Sequence, residues 1–478
     1  MPPYEYRRIE TTREPRAFLT GLVTAFLLAS AITAGMAPAV VLAESPIPDP
    51  STSPSPSPTP SADPSPTPVA FPSPAPPAGP TFLGESITFY GRGLGHGVGM
   101  SQYGARGRAL AGQDATTILA HYYQGATLAP IDPATRIRVL LQSNWTATAT
   151  RPVVIYGRVT PWSIDGVGNT FPADARLRLI PPAPSGSAWR LLIEAADATV
   201  LFDGAAPADF TVHGSSDDSR LQLWSKPTRY DRYRGNLRVI IGSTTRVTIV
   251  NDLTLEEYLP GVLPVEMPTT WPAAALQAQS IAARSYAGSR LRPTVSYFDV
   301  RDDASSQIYR GVLVEKPSTN GAVAATASTV LFSGTTIANA LFHSTGGGAT
   351  ESNENVYTTG TGRRTARPVG YLRGSGDRNS DGTTFDASSP HSTWTTRTYT
   401  RDQLSAWFAA DPRTNVGTLL ALDLRDRGVS GRLASVTLIG TAGTSKVSGE
   451  IFRAVFNAGR PSADRSLKST LVDTAPIP

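Results

Sequence analysis

Between residues 136 and 250 the chain repeats one short rhythm. Apolar runs such as IRVLLQ, RLRLI, WRLLIEA, ATVLF, LRVII and RVTIV are separated by Gly, Asn, Asp and Pro. Period-two alternation puts one side of each run on a core face, and the turn residues cut the runs too short for helices. The stretch therefore reads as an all-β region of hairpins, within which Trp145, Trp162 and Trp224 are expected as core or hairpin residues rather than sugar platforms. Nothing in it has catalytic spacing. Elsewhere Val, Ile and Leu also fall in short runs between Gly, Pro, Ser and Thr, with a few helical patterns among them. The predicted fold class is α+β: a strand-rich mixed core with a few short helices and a β-rich subdomain. About 400 residues are available for it, enough for one large domain or two.

The first 80 residues stand apart from this. Arg7, Arg8, Arg13 and Arg16 precede an apolar segment over 17–43, and Val41-Leu42-Ala43 has the small-residue spacing of a signal-peptidase site. The segment is also long enough to cross a ~30 Å hydrocarbon core. Residues 1–43 are therefore read as a signal peptide or a membrane anchor, with Gly35 and Pro38 breaking the segment shortly before Ala43. Both readings place the rest extracytoplasmically, secreted or anchored at the cell envelope, with membrane contact only through this segment. Residues 44–80 form a Pro/Ser/Thr-rich linker in which closely spaced prolines fix φ and remove donors. It is expected to be a disordered, extended spacer, reaching on the order of 100 Å at ~3.1 Å per residue.

Net charge is +5, but the arginines are scattered and no basic run is interleaved with aromatics. A nucleic-acid partner is not expected, because phosphate binding needs a clustered footprint; mild basicity is compatible with an anionic envelope. Cysteine is absent, which excludes disulfides, thiolate catalysis and every Cys-containing zinc site.

Two stretches carry more specific information. In 87–128, a short strand is followed by Gly91, Gly93, Gly95, Gly97 and Gly99, an alternation no regular element tolerates. Glycine there permits positive φ and close approach to a ligand or to another chain segment. Ser101 is an N-cap candidate for a helix to about residue 111, and a second helix over 115–123 carries His121, expected to pack among the tyrosines. The second stretch is LEEYLPGVLPVEMPTTWPAAALQAQSIAARSYAGSR, 255–290. Glu266 is expected at the end of an extended segment, on a Pro-bounded turn. A helix then begins near Pro272, with Leu276, Ala283 and Ala287 as its packing stripe, Gln277 and Arg284 on one flank, and Gln279 and Tyr286 on the other.

Together with GLGHGVGMSQYGA and ILAHYYQGA, with DDASSQIYRG (302–311), with LFHSTGGGATES (341–352) and with the late SGR…GEIFRAVF…LKST section, this stretch resembles the SpoIID/LytB family (stage II sporulation protein D) over roughly 81–130 and 235–470. Active members of that family are lytic transglycosylases of peptidoglycan. The GHGVGMSQYG segment typically closes the family's domain at its C-terminal end, so the resemblance implies that it folds back here to complete the same site. The implied organisation is a loop-helix segment at 81–130, a β-rich subdomain at 131–247 and a catalytic core at 248–478. Glu266 is the implied catalytic acid and base. His96, Ser101, Gln102, Arg284, Gln307, Tyr309, His343 and Ser344 are the implied substrate contacts. His96 either touches sugar or assists proton transfer, or else holds the loop by bonding a backbone carbonyl. Asp302 and Asp303 are reserve carboxylates or turn residues. No metal is implied, since zinc-bearing relatives use cysteines and His343 alone cannot form a site, and no cofactor is implied. The implied partners are peptidoglycan glycan strands. The alternative is a non-catalytic amidase enhancer partnered by a cell-wall amidase, and a third is a hydrolase leaving reducing ends. One departure stands out: related sequences commonly have Lys where this chain has Gln277.

Overall fold

The alternating runs form strands. A computed structural model describes residues 79–477; the export segment and all but the end of the Pro-rich tract fall outside the described residues. The β-rich stretch makes two sheets. Six antiparallel strands pair in the order Val200–Ala205, Arg190–Glu194, Arg176–Ile180, Val153–Arg158, Arg220–Leu223 and Arg232–Tyr233. A seven-stranded sheet runs Val300–Arg301, Arg136–Thr146, Arg246–Thr254, Asn236–Ile241, Asp209–Gly214, Trp162–Ile164 and Val167–Phe171, antiparallel except for its first pair.

Burial follows the period of two. Leu177 and Leu179 are fully buried, and register places Leu177 beside both Ile155 and Ile193. Arg176 and Arg178 lie half-exposed on the opposite face. Each buried leucine contributes about 1.5–3 kcal/mol, and a one-residue slip would turn the whole set to water. The inner faces of both sheets feed one core. Gly157 makes room for Trp162, since a Cβ there would lie 2.1 Å from the indole. Of the three tryptophans read as core or hairpin residues, Trp162 is buried and Trp145 half-buried. Trp224 is 58 % exposed: it follows the last residue of its strand on the outward side, with Tyr156 beside it.

The helix Ala273–Gly288 departs from the expected single stripe. From Ala275 to the helix end every residue except Gln277 is buried. Its alanines and serines let the helices Gln102–Leu110, Ala115–Tyr122 and Pro317–Ala325 and the strand Thr329–Ser333 close in around it.

A second core is built mainly from 394–472, with the helices Arg401–Ala409 and Gly449–Gly459. Leu83, Ile87 and Phe89 belong to it, and the strand Tyr90–Arg92 lies between Thr393–Thr395 and Val472–Asp473. Val98, Met100 and the two following helices belong instead to the first core. The glycine loop therefore crosses from one core to the other. The fold is mixed α+β, as the sequence predicts.

Candidate functional site

Glu266 ends a short helical turn, Leu263–Glu266, rather than an extended segment. Pro264 sits in its first turn, where a missing N–H costs little, and Met267, the residue before Pro268, is forced to extended geometry and stops it. The Glu266 carboxylate is half-buried, and its Oε1 accepts the Ile308 N–H at 3.3 Å. Burial pushes the carboxyl above its ordinary range, opposed by that N–H.

Arg284 does not flank this group. It is fully buried and donates to Glu256 through Nε at 2.8 Å and Nη2 at 2.9 Å, with further bonds to the Thr329 and Val323 carbonyls. Helix geometry explains the choice. Tyr286 borders Glu266 electrostatically, and a residue two positions earlier points about 200° away. Gln307 and Tyr309 are also buried. Gln307 donates to the Ala283 carbonyl and accepts from Tyr258 at 3.2 Å, while Tyr309 donates to Asn251 at 2.9 Å. These two side chains brace Ile308 from both sides and so position the N–H that meets Glu266.

From the other end of the chain, Gln102 reaches the site directly: its Nε2 donates to the Glu266 carbonyl at 3.2 Å. Ser101 is the N-cap as expected, accepting from Gly104 N–H and also from Gly346 N–H, both at 3.1 Å. His96 is committed to backbone. Its Nδ1 accepts from Val98 N–H, which assigns the proton to Nε2 and hence a donated bond to the Phe342 carbonyl, both at 3.0 Å. Burial, with the Arg432 charge adding, holds His96 down at about 4. His343, 5.4 Å away between ring centroids, bonds the Val98 carbonyl through Nδ1, and its Nε2 is buried without a partner. Ser344 is half-buried beside Thr345, and its carbonyl accepts from Tyr103 N–H.

The close approach that the glycines permit is to this chain itself. Gly93, Gly95, Gly97 and Gly99 all have positive φ. A Cβ on Gly97 would lie 2.3 Å from Arg432 Nε, and one on Gly99 2.0 Å from the Leu341 carbonyl oxygen. Arg432 is buried and holds the Ala349 and Gly346 carbonyls. His121 packs edge-on to Tyr122 and bonds Arg108; Arg108 and Tyr122 both bind the buried Asp377, whose carboxyl desolvation pushes up to about 6. Asp302 pairs with Lys226 at 2.5 Å and Asp303 caps a turn through Ser305. Among the described residues no His, Asp and Glu cluster is arranged to hold a metal.

Two features escaped sequence reasoning. Gln279 is fully buried with both amide atoms unpartnered, one helical heptad before Tyr286 and so on the face that borders Glu266. The seven-residue spacing was legible, but its burial was not. Beside the turn, Trp271 meets the ring of Tyr103 at 4.8 Å, with Arg106 at 5.8 Å over the indole; Trp271 and Arg106 are half-buried. Tyr103 directly follows Gln102, and the SQYGARGR string was its signal.

A family model described as SpoIID, stage II sporulation protein, matches residues 243–332. That span holds Glu266, the enclosed helix and Ile308. An uncharacterized protein of Brachyspira hyodysenteriae is 38 % identical over 126 residues, 26 % of this chain and 34 % of that protein. A stage II sporulation protein D of Bacillus amyloliquefaciens is 51 % identical over 49 residues, 10 % of this chain and 14 % of that one. An amidase enhancer of Bacillus subtilis is 54 % identical over 44 residues, 9 % and 6 % of the two chains. The chain thus spans about one third or less of the length of these relatives. The match falls on the segment that builds the Glu266 turn and its helix, and over that segment the chain is similar to the SpoIID/LytB family.

Proposed function

We propose that the protein acts at the cell envelope as a peptidoglycan lytic transglycosylase, with Glu266 as its single acid and base. The observation that carries this reading is a half-open carboxyl with a raised affinity for its proton and no guanidinium against it, because Arg284 is committed to Glu256. A general acid needs that state near neutral pH.

Protonated Glu266 gives its proton to the oxygen linking N-acetylmuramic acid to N-acetylglucosamine as the anomeric C–O bond breaks. The muramoyl 6-hydroxyl attacks the same carbon, and its proton returns to Glu266, leaving a 1,6-anhydro end and consuming no water. One carboxylate suffices, unlike the pair that hydrolysis requires. The Ile308 N–H stabilises the carboxylate between the two transfers. Half-buried Trp271, Tyr103 and Arg106 offer a ring face and a cation for a neighbouring sugar, and the unpartnered, fully buried amide of Gln279 suits a bridging water. His96 serves the site by holding the loop.

The test uses the full chain on glycan strands stripped of peptide, with mass spectrometry of the ends. Anhydro ends from wild type, lost in Glu266→Gln, are expected. Full activity of Glu266→Gln would remove the assignment, and reducing ends would make the enzyme a hydrolase. A second reading, a non-catalytic amidase enhancer, draws on the similarity to the protein of that name and on Gln277 in place of the commonly found lysine. It predicts glycan binding without turnover and faster cleavage by an added cell-wall amidase.

A further inference from the structure

The outer face of the six-stranded sheet carries a pattern that the Glu266 site does not use. Its inner face is core. Register on the other side places Arg176 beside Tyr156, Tyr156 beside Gln222, and Gln222 beside Arg232. In the next row Arg178 lies opposite Val154, whose carbonyl accepts the Trp224 N–H. Trp224 is 58 % exposed, with its ring centroid 5.9 Å from that of Tyr156. Arg158 lies 4.5 Å over the Tyr156 ring. One carboxylate, Glu194, serves both Arg176 at 2.8 Å and Arg178 at 3.8 Å. Arg158 has an exposed partner in Asp174 at 3.6 Å, and Arg232 is exposed. The face is therefore net positive, and it presents a large indole to solvent.

What sets this face apart is the combination: an exposed indole beside an aromatic ring, on a face whose arginines outnumber its carboxylates. An indole among arginines fits a sugar ring bearing negative charge: the ring's apolar side stacks on the indole, and guanidinium groups take the carboxylate. We infer that this face, with Trp224 at its centre and Arg158, Arg176, Arg178 and Arg232 around it, is a second binding surface for a carboxylate-bearing glycan strand. It would hold the β-rich region on the polymer that Glu266 works on. The choice of polymer rests on the proposed function, whereas the binding itself does not depend on Glu266 chemistry.

The test uses the full chain with Glu266→Gln, so that strands are bound but not cut. The probes are peptide-free glycan strands, intact peptide-bearing sacculi, neutral N-acetylglucosamine oligomers and single-stranded DNA. The first two arms separate carboxylates of the sugar from those of the stem peptides. Trp224→Ala is expected to weaken glycan binding about tenfold, the scale of losing one stacking platform. Arg178→Ala with Arg232→Ala is expected to weaken it about threefold and to flatten its salt dependence. Neutral oligomers should bind the parent more weakly than the charged strands. Unchanged melting temperatures establish that both variants fold, and Trp224→Ala in the Glu266 chain should cut short soluble strands at the parental rate. Parental glycan affinity in either variant overturns the proposal, and so does tighter binding of DNA than of glycan through this face. Trp224-dependent binding by a protein that never cuts glycan would end the lytic reading and leave this one standing.

Discussion

The glycine loop and the Glu266 turn are the most distinctive strings in the chain, and they are built in opposite ways. In the loop, polar groups are largely used up by the protein itself. His96 spends both ring nitrogens on backbone, Ser101 accepts two N–H groups, and Arg432 fills the space that the missing side chains leave. At the turn, Glu266 keeps a desolvated carboxyl with one long bond, and in the helix that follows Gln279 keeps an amide with none. A distinctive motif marks constraint. A site needs polar capacity left over after folding; beneath the loop His343 Nε2 and Arg432 Nε are left without partners, whereas the turn keeps a carboxylate that can carry a proton.

The strongest way to break this comparison is Glu266→Gln. Turnover should fall by roughly 10²–10⁴, the scale of losing a general acid. The melting temperature should hold or rise, because the neutral amide replaces a desolvated carboxylate and can still accept from Ile308. The loop should answer in the opposite currency. Gly97→Ala combines positive φ with a clash against Arg432 and should cost about 3 kcal/mol in urea unfolding. Gly166→Ala, with the same sign of φ and open space around it, should cost about 1 kcal/mol. Equal costs would show that φ, and not packing on Arg432, explains the loop.

A smaller effect sharpens the turn side. Gln279→Met removes two unsatisfied buried polar atoms and should stabilise by about 1 kcal/mol while lowering turnover. A stability gain with full activity would make Gln279 a packing residue. The smallest effect is the pH dependence of stability. Glu266, raised by burial, and Asp377, pushed up to about 6, bind protons more tightly folded than unfolded. The contribution of these two groups to stability is therefore greatest below the unfolded carboxyl range and declines as pH rises through their folded values; Glu266→Gln should remove its share of that decline. The rate should likewise fall as pH climbs through the Glu266 value. No limb should appear near the ordinary histidine value of about 6.5, because His96 is held at about 4.

Much of the local structure was legible because it depends on neighbours in sequence. The hairpin rhythm gave strands, Ser101 gave an N-cap, and Pro268 and Pro272 bounded the turn and opened the helix. Readings that depended on partners far away in sequence fared differently. Arg284 sat plausibly near Glu266 in sequence, yet Glu256 claims it from another face of the helix. Of the core and hairpin alternatives read for Trp224 the structure keeps the hairpin, a choice the hydropathy pattern left open because it does not say which side of a strand's end faces water.

The sequence by itself determined the α+β class, the strand-forming register of the β-rich region, the glycine loop's need for positive φ, and the strings that mark the family. Those properties follow from backbone sterics and side-chain period, which act over a few residues. Tertiary structure alone decided which polar groups were consumed. It set Arg432 into the glycine loop, Glu256 onto Arg284 and Gln102 against Glu266, and it left Gln279 unpaired. Desolvation and hydrogen-bond satisfaction are properties of the packed whole, and they raise the Glu266 proton affinity while keeping His96 neutral.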